Sequence, residues 1–277
     1  VITDKWEGDV ISVRMGAAAL AGAMVVLASG AAAQQPNADW LEECDDWGRR
    51  GQVVHCEVRD VPVQATGSLD LETTNGIVEV CGAQRRDVAV RVRVRAWADT
   101  REEAVERARA VRVSADGGRV RADGRGDDWT VDYAASVPRS YDVRVSTANG
   151  PLEVCDVSGR VHAETRNGPA ELRGVAGEVH ARTNNGPLTV ELAGNSVGDG
   201  GVDVRTDNGP LTLVVPRGMN ARLEAGTGNG PISSDLDVPV RRHSRWSVSG
   251  DIDATLGSGG GSIRARTSNG PLSIRED

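Results

Sequence analysis

Residues 161–192 read VHAETRNGPAELRGVAGEVHARTNNGPLTVEL, and the stretch holds the same unit twice. In the first unit Val161, Ala163, Thr165 and Asn167 fall on one side of a period-2 alternation, with His162, Glu164 and Arg166 on the other. The second sets Val179, Ala181, Thr183 and Asn185 against His180, Arg182 and Asn184. Beyond the Asn-Gly the alternation resumes, Leu188, Val190 and Leu192 against Thr189 and Glu191. Period 2 with one apolar side marks a strand with one buried face. Each unit therefore reads strand, Asn-Gly corner, strand, corner.

The unit recurs along the chain. Asn-Gly stands at Asn75, Asn149, Asn167, Asn185, Asn208, Asn229 and Asn269, with separations of 18, 18, 23 and 21 residues between Asn149 and Asn229. A final interval of 40, about two such periods, predicts a copy that has lost its Asn-Gly. Thr precedes every Asn by two residues, at Thr73, Thr147, Thr165, Thr183, Thr206, Thr227 and Thr267. Asn-Gly between strands ordinarily signals a hairpin. Here Pro151, Pro169, Pro187, Pro210, Pro231 and Pro271 follow the Gly, and none has the N–H that would close a two-residue turn. The chain must turn a corner instead of doubling back. The fold expected is all-β, a single-chain parallel β-helix or β-solenoid with coils of about 18–23 residues, its handedness and number of faces left open. Stacked about 4.8 Å apart, the Thr and Asn columns are expected to point inward and pair with the coils above and below.

Composition agrees with many short strands: 34 Gly, 11 Pro and no Phe in 277 residues. Residues 15–33, MGAAALAGAMVVLASGAAA, read as a secretory signal with a small-residue cleavage site, and 1–33 as that signal plus an upstream extension. No Cys follows the apolar stretch, so no lipid anchor and no membrane span are expected after its removal. The remainder is acidic, 30 basic against 37 acidic side chains (32 less Lys5 and Arg14; 40 less Asp4, Glu7 and Asp9), which argues against nucleic acid as a partner.

Residues 34–63 form a Cys loop in which Cys44 and Cys56 are expected to bond in an oxidising compartment. Cys81 and Cys155 occupy the same place in two copies and can pair only if those copies are neighbours. Without a CxxC spacing, metal is not indicated. Residues 64–277 make the repeat domain, interrupted at 84–139 by a capping region. It holds a long strand (DVAVRVRVRAW, 87–97), one short helix opened by Thr100 and Glu103 as a capping box, and a returning strand (WTVDYAASV, 129–137). Such caps close the sticky end of a stack, and the polar C-terminus Arg275, Glu276 and Asp277 is expected to discourage growth from the other end.

The copies TANGPLEV (147–154), TRNGPAEL (165–172), TNNGPLTV (183–190), TDNGPLTL (206–213), TGNGPISS (227–234) and TSNGPLSI (267–274) resemble the strand repeats of the bacterial putative-adhesin family of domains of unknown function. The segment AWADTREEAVERARAVRV (96–113) and the Cys44–Cys56 loop are similar to members found behind signal peptides. The resemblance covers 64–277 and implies a β-solenoid in the cell envelope; it carries no catalytic residues over.

Candidate chemistry is sparse. His162 and His180 stack outward, but two imidazoles are not a metal site. Glu153 and Glu171 also stack, and paired carboxylates suit glycoside hydrolysis, yet the short corners leave no loops to wall a cleft. The single GDGGVDV (198–204) reads as an insertion loop, and the Thr ladder faces the core, not an ice lattice. No Gly-x-Ser-x-Gly turn, phosphate loop or HExxH helix is present. What remains is a face of mixed charge, with Arg144, His162, His180, Arg182, Arg205, Arg264 and Arg266 as candidate binding residues. The expectation is an exported, periplasmic or surface, non-catalytic protein without cofactor that binds an envelope glycan or surface protein; the alternative is a polysaccharide-active enzyme.

Overall fold

A computed structural model describes residues 39–44, 51–244 and 247–277. The segment read as a signal, 1–33, lies outside them. The described chain begins with a 3-10 turn, Asp39–Leu41, followed by β1 Val53–Val63, β2 Ser68–Asn75, β3 Val78–Ala83, β4 Val88–Ala98 and α1 Arg101–Ala110. Then come β5 Arg112–Asp116, β6 Arg119–Asp123, β7 Trp129–Pro138, β8 Asp142–Asn149, β9 Leu152–Cys155, β10 Val161–Asn167, β11 Ala170–Val175, β12 Val179–Asn185 and β13 Leu188–Leu192. The remainder is β14 Val202–Asn208, β15 Leu211–Val215, β16 Ala221–Asn229, β17 Ile232–Ser234, β18 Val240–Arg242, β19 Gly250–Leu256, β20 Ser262–Asn269 and β21 Leu272–Glu276.

The strands build two mixed sheets. One runs β1-β4-β7-β3-β9-β11-β13-β15-β21-β17, the other β18-β19-β16-β20-β14-β12-β10-β8-β2-β6-β5. Strands before each Asn-Gly share the second sheet and strands after it share the first. Within both, the copies pair parallel and in register: Thr165 lies opposite Thr147 and Thr183, Asn167 opposite Asn149 and Asn185. Register is fixed because a one-residue slip would turn the buried row out to water. That row is aliphatic, with Val143, Val161, Val179, Val202 and Ile263 stacked in one sheet and Leu152, Ala170, Leu188, Leu211 and Leu272 in the other. Both rows belong to one core.

The corner explains the motif. Gly168 has φ +154, and a Cβ there would lie 2.1 Å from the Gly150 carbonyl oxygen, so no other residue fits. Its N–H donates to the Asn185 carbonyl and its own carbonyl accepts the Thr183 hydroxyl at 3.2 Å. The following Pro169 has no N–H to satisfy and is exposed, while Ala170 resumes pairing through the Pro187 carbonyl. The buried Thr hydroxyls thus supply the corner carbonyls with a donor.

Three expectations are corrected. The Asn side chains do not point inward: each is the last residue of its strand and lies exposed at the corner, where the chain turns through the Gly that follows. The 40-residue interval holds no copy lacking Asn-Gly. It contains β17, β18 and β19, of which β18 and β19 pair antiparallel, β19 against β16. The last copy, β20–β21, inserts between β14–β15 and β16–β17. The polar C-terminus therefore follows an interior strand; the last repeat copy in the stack is β16–β17, with β19 and β18 continuing the second sheet beyond β16.

Beyond the first copy, β6 extends one sheet beside β2, and β7, β4 and β1 extend the other beside β3. Helix α1 starts where the Thr100 hydroxyl accepts the Glu103 N–H at 3.3 Å, and it packs Ala104 and Ala108 against β1 and β4. Arg59 caps its other end, donating to the Ala108 and Val111 carbonyls. Trp40 and Leu41 lie on the outer side of the β4–β7–β3 region: Leu41 packs on Ala134 and Val58, and Arg93 stacks over the Trp40 ring at 5.0 Å. Arg93 and Arg95 converge on Asp132, which is fully buried and also accepts the Ile77 N–H. Both cysteine pairs are bonded, Cys44 with Cys56 and Cys81 with Cys155, the latter directly opposite each other on β3 and β9.

Candidate binding face

Parallel pairing turns each outward position of the second sheet into a row across the copies. In spatial order the first row is Asp70, Arg144, His162, His180, Asp203, Arg264 and Glu224. The second is Glu72, Ser146, Glu164, Arg182, Arg205, Arg266 and Gly226. All seven candidate binding residues therefore lie on one face, and Arg182, Arg205 and Arg266 stand on adjacent strands.

Three guanidinium groups spaced by strand pairing repel one another. Asp207 sits between the first two, within 2.9 Å of both Arg182 and Arg205, and their hydrogen bonds hold its carboxyl below the usual carboxylate range. Arg266 has no ion pair among the described residues. Arg264 shares Glu224 with Arg222, and those bonds lower the Glu224 carboxyl in the same way. His162 and His180 rings lie 6.4 Å apart, and His180 bonds Glu178 at 3.1 Å. Burial, then the Arg144 charge, pushes the His162 imidazole below its ordinary range. Among the described residues no group of three His, Cys, Asp or Glu side chains is placed to hold a metal.

The face is grooved along its length by four clefts. The first, of about 390 Å³, lies at the Asn75 end. It shares Glu72, Thr73 and Thr74 with the next, of about 370 Å³. Glu164 links that one to a cleft of about 360 Å³ over His162 and His180, and Arg205 links this to the fourth, of about 610 Å³. Gly226 and Gly228 open the fourth, where earlier copies carry side chains, and Arg205, Arg266, His243 and Asp251 border it.

The Asn column runs beside the groove. Asn149 donates its amide N–H to the Asn75 side-chain oxygen at 2.8 Å, Asn167 to Asn149 at 2.9 Å, and Asn185 to Asn167 at 2.8 Å. Asn208, Asn269 and Asn229 continue it at 3.0 Å each, so all seven amides point one way. The Thr column is buried behind them except for Thr73, which bonds the Val131 carbonyl at 3.0 Å.

Two groupings escape a reading of the sequence. The His243 ring bonds Asp251 at 2.8 Å and Ser249 at 3.2 Å. Ser249 is only 7% exposed and also bonds the Ser247 hydroxyl, so the group ties β18 to β19. At the opposite end, Arg121, Asp127, Trp129 and Thr130 border the first cleft, delivered by β6, β7 and the turn between them. No motif marks either. The stacked Glu153 and Glu171 lie on the other sheet, both bound to Arg173, away from the clefts.

No protein-family model matches the chain, and no curated protein does. Among solved structures it is similar to a "putative cell adhesion protein" from Clostridium sporogenes, at 11% identity and a TM-score of 0.43, covering 81% of this chain and 100% of that one. It is also similar to a "putative adhesin" from Bacteroides fragilis, at 9% identity and a TM-score of 0.30, covering 79% and 97%. Neither likeness reaches a TM-score that carries a functional argument.

Proposed function

We propose that the chain is an exported, non-catalytic, adhesin-like protein: a β-solenoid with two sheet faces, one of which holds an extended anionic glycan of the cell envelope. The observation that carries the reading is the groove of four clefts joined by shared residues, with the Arg182–Arg205–Arg266 column in it. A line of neighbouring clefts suits a chain-like ligand, and Arg266, lacking a carboxylate of its own among the described residues, offers its guanidinium to an acidic group. The two disulfides fit an oxidising compartment, and no helix among the described residues is long and apolar enough to cross a membrane.

The test is binding of the purified chain to alginate and to a neutral dextran, with product analysis of the same mixtures. Saturable, salt-sensitive binding to the acidic polymer without cleavage supports the reading. Arg205→Gln and Arg266→Gln should each weaken it about three- to tenfold, the range for an exposed charged hydrogen bond. Equal binding of both polymers, or indifference to both substitutions, contradicts the reading, and cleavage products would replace it with an enzyme.

A further inference from the structure

The cleft at the Asn75 end is built differently from the rest of the groove. Its polar groups include Glu72, Asp127 and Arg121, so both signs of charge meet there, and Glu72 and Arg121 already bond each other at 2.9 Å. Trp129 contributes the cleft's aromatic surface, its ring N–H fixed to the Gly126 carbonyl at 2.9 Å.

The Asn column ends in the same place. Its direction is fixed by the backbone: Asn149, Asn167, Asn208 and Asn269 each also donate the same side-chain nitrogen to a main-chain carbonyl, which can only accept. Asn75 accepts from Asn149 and has no acceptor for its own amide N–H groups among the described residues. Aligned hydrogen bonds polarise one another, so the terminal donor of this chain seeks an acceptor oxygen.

We infer that this cleft binds an uncharged terminal sugar, the end of a glycan whose chain continues along the face; the second part rests on the function proposed above. A sugar ring offers an apolar C–H face to Trp129 and hydroxyl oxygens to the Asn75 amide, and its hydroxyls can partner Glu72 and Asp127. Mixed charge disfavours a net anion or cation. The volume of about 390 Å³ lies in the range of small-molecule sites and suits a chain end.

The experiment is an NMR titration of the full ¹⁵N-labelled chain with cellotriose, chitotriose and maltotriose in turn. It follows the Trp129 indole N–H, assigned with Trp129→Phe, and the Asn75 side-chain amide, assigned with Asn75→Asp. At least one trisaccharide should shift both signals saturably at concentrations up to about 20 mM, the weak-binding range. Asn75→Asp keeps the acceptor for Asn149 but removes the free donor, and should weaken binding at least about fivefold. A purely structural Asn75 would leave binding unchanged. Trisaccharides that move neither signal, or bind Asn75→Asp as well as the parent, overturn the inference. Alginate binding that depends on Arg205 and Arg266 while Trp129 stays silent would overturn it and leave the proposed function standing.

Discussion

Replacing Gly168 by Ala attacks the corner at its tightest point. Two costs add. The backbone angle, φ +154, lies where an L side chain is strained, at about 1–3 kcal/mol. The new Cβ would also sit 2.1 Å from the Gly150 carbonyl oxygen, which is already engaged by Thr165 and cannot retreat without breaking that bond. Overpacking of this kind adds about 1–3 kcal/mol. The sum, about 2–6 kcal/mol, corresponds to a fall of roughly 4–24 °C in melting temperature for a chain of this size. Gly117, in the β5–β6 turn, separates the two contributions: its φ is +54, but nothing lies within 4 Å of the position a Cβ would take. Gly117→Ala should therefore cost only about 1 kcal/mol. Thermal and urea denaturation followed by circular dichroism would measure both. If the two variants melted within a degree of each other, the close stacking of corners would not be what fixes glycine there.

Three further outcomes follow from the same geometry. The Cys81–Cys155 bond closes a loop of 74 residues and the Cys44–Cys56 bond one of 12. On the chain-entropy account, removing the first by paired Ser substitutions should cost about 4 kcal/mol and the second about 3, read as urea midpoints at constant slope. Asp132→Asn should destabilise the chain by about 3–5 kcal/mol, since it leaves Arg93 and Arg95 facing a neutral group where Asp132 is fully buried; a loss under 1 kcal/mol would refute the buried triad. The depressed His162 imidazole contributes stability that is present above its unfolded value and lost as pH falls through its folded value. An NMR titration should place its midpoint below that of an unfolded peptide, and Arg144→Gln should move it upward.

Much of the architecture was legible because it is local. Period-2 alternation names the buried row, and Pro after Asn-Gly excludes the hairpin and demands a corner. Parity alone puts Asn167 inside with Thr165, and fails because the inward row stops at Thr165 and Asn167 ends its strand at the exposed corner. The 40-residue interval was misread for a different reason: spacing along the chain reports neighbours in sequence, whereas Asn208 stacks on Asn269, 61 residues away. Charge on the face could be listed from parity, and all seven predicted residues lie there. The groove could not, because its first cleft needs β7 beside β3 and its last needs β18–β19 folded back onto β16. Trp129 and Thr130 read as ordinary strand residues until that pairing gave them a cavity to line.

The insertion of β20–β21 between β14–β15 and β16–β17 also bears on how the chain reaches its native state. When residues up to 230 have emerged, β14 and β16 carry the same Thr-x-Asn-Gly pattern and can pair with each other before β20 exists. That pairing closes the slot reserved for the final copy. Folding must then either wait for the last residues or undo a contact that is locally correct, the kind of long-range dependence that slows β proteins and invites trapping. A chain that crosses a membrane unfolded before any of it can pair escapes the order imposed by synthesis, and a copy lacking its last sixteen residues would be left with two ladders free to fuse one rung too early.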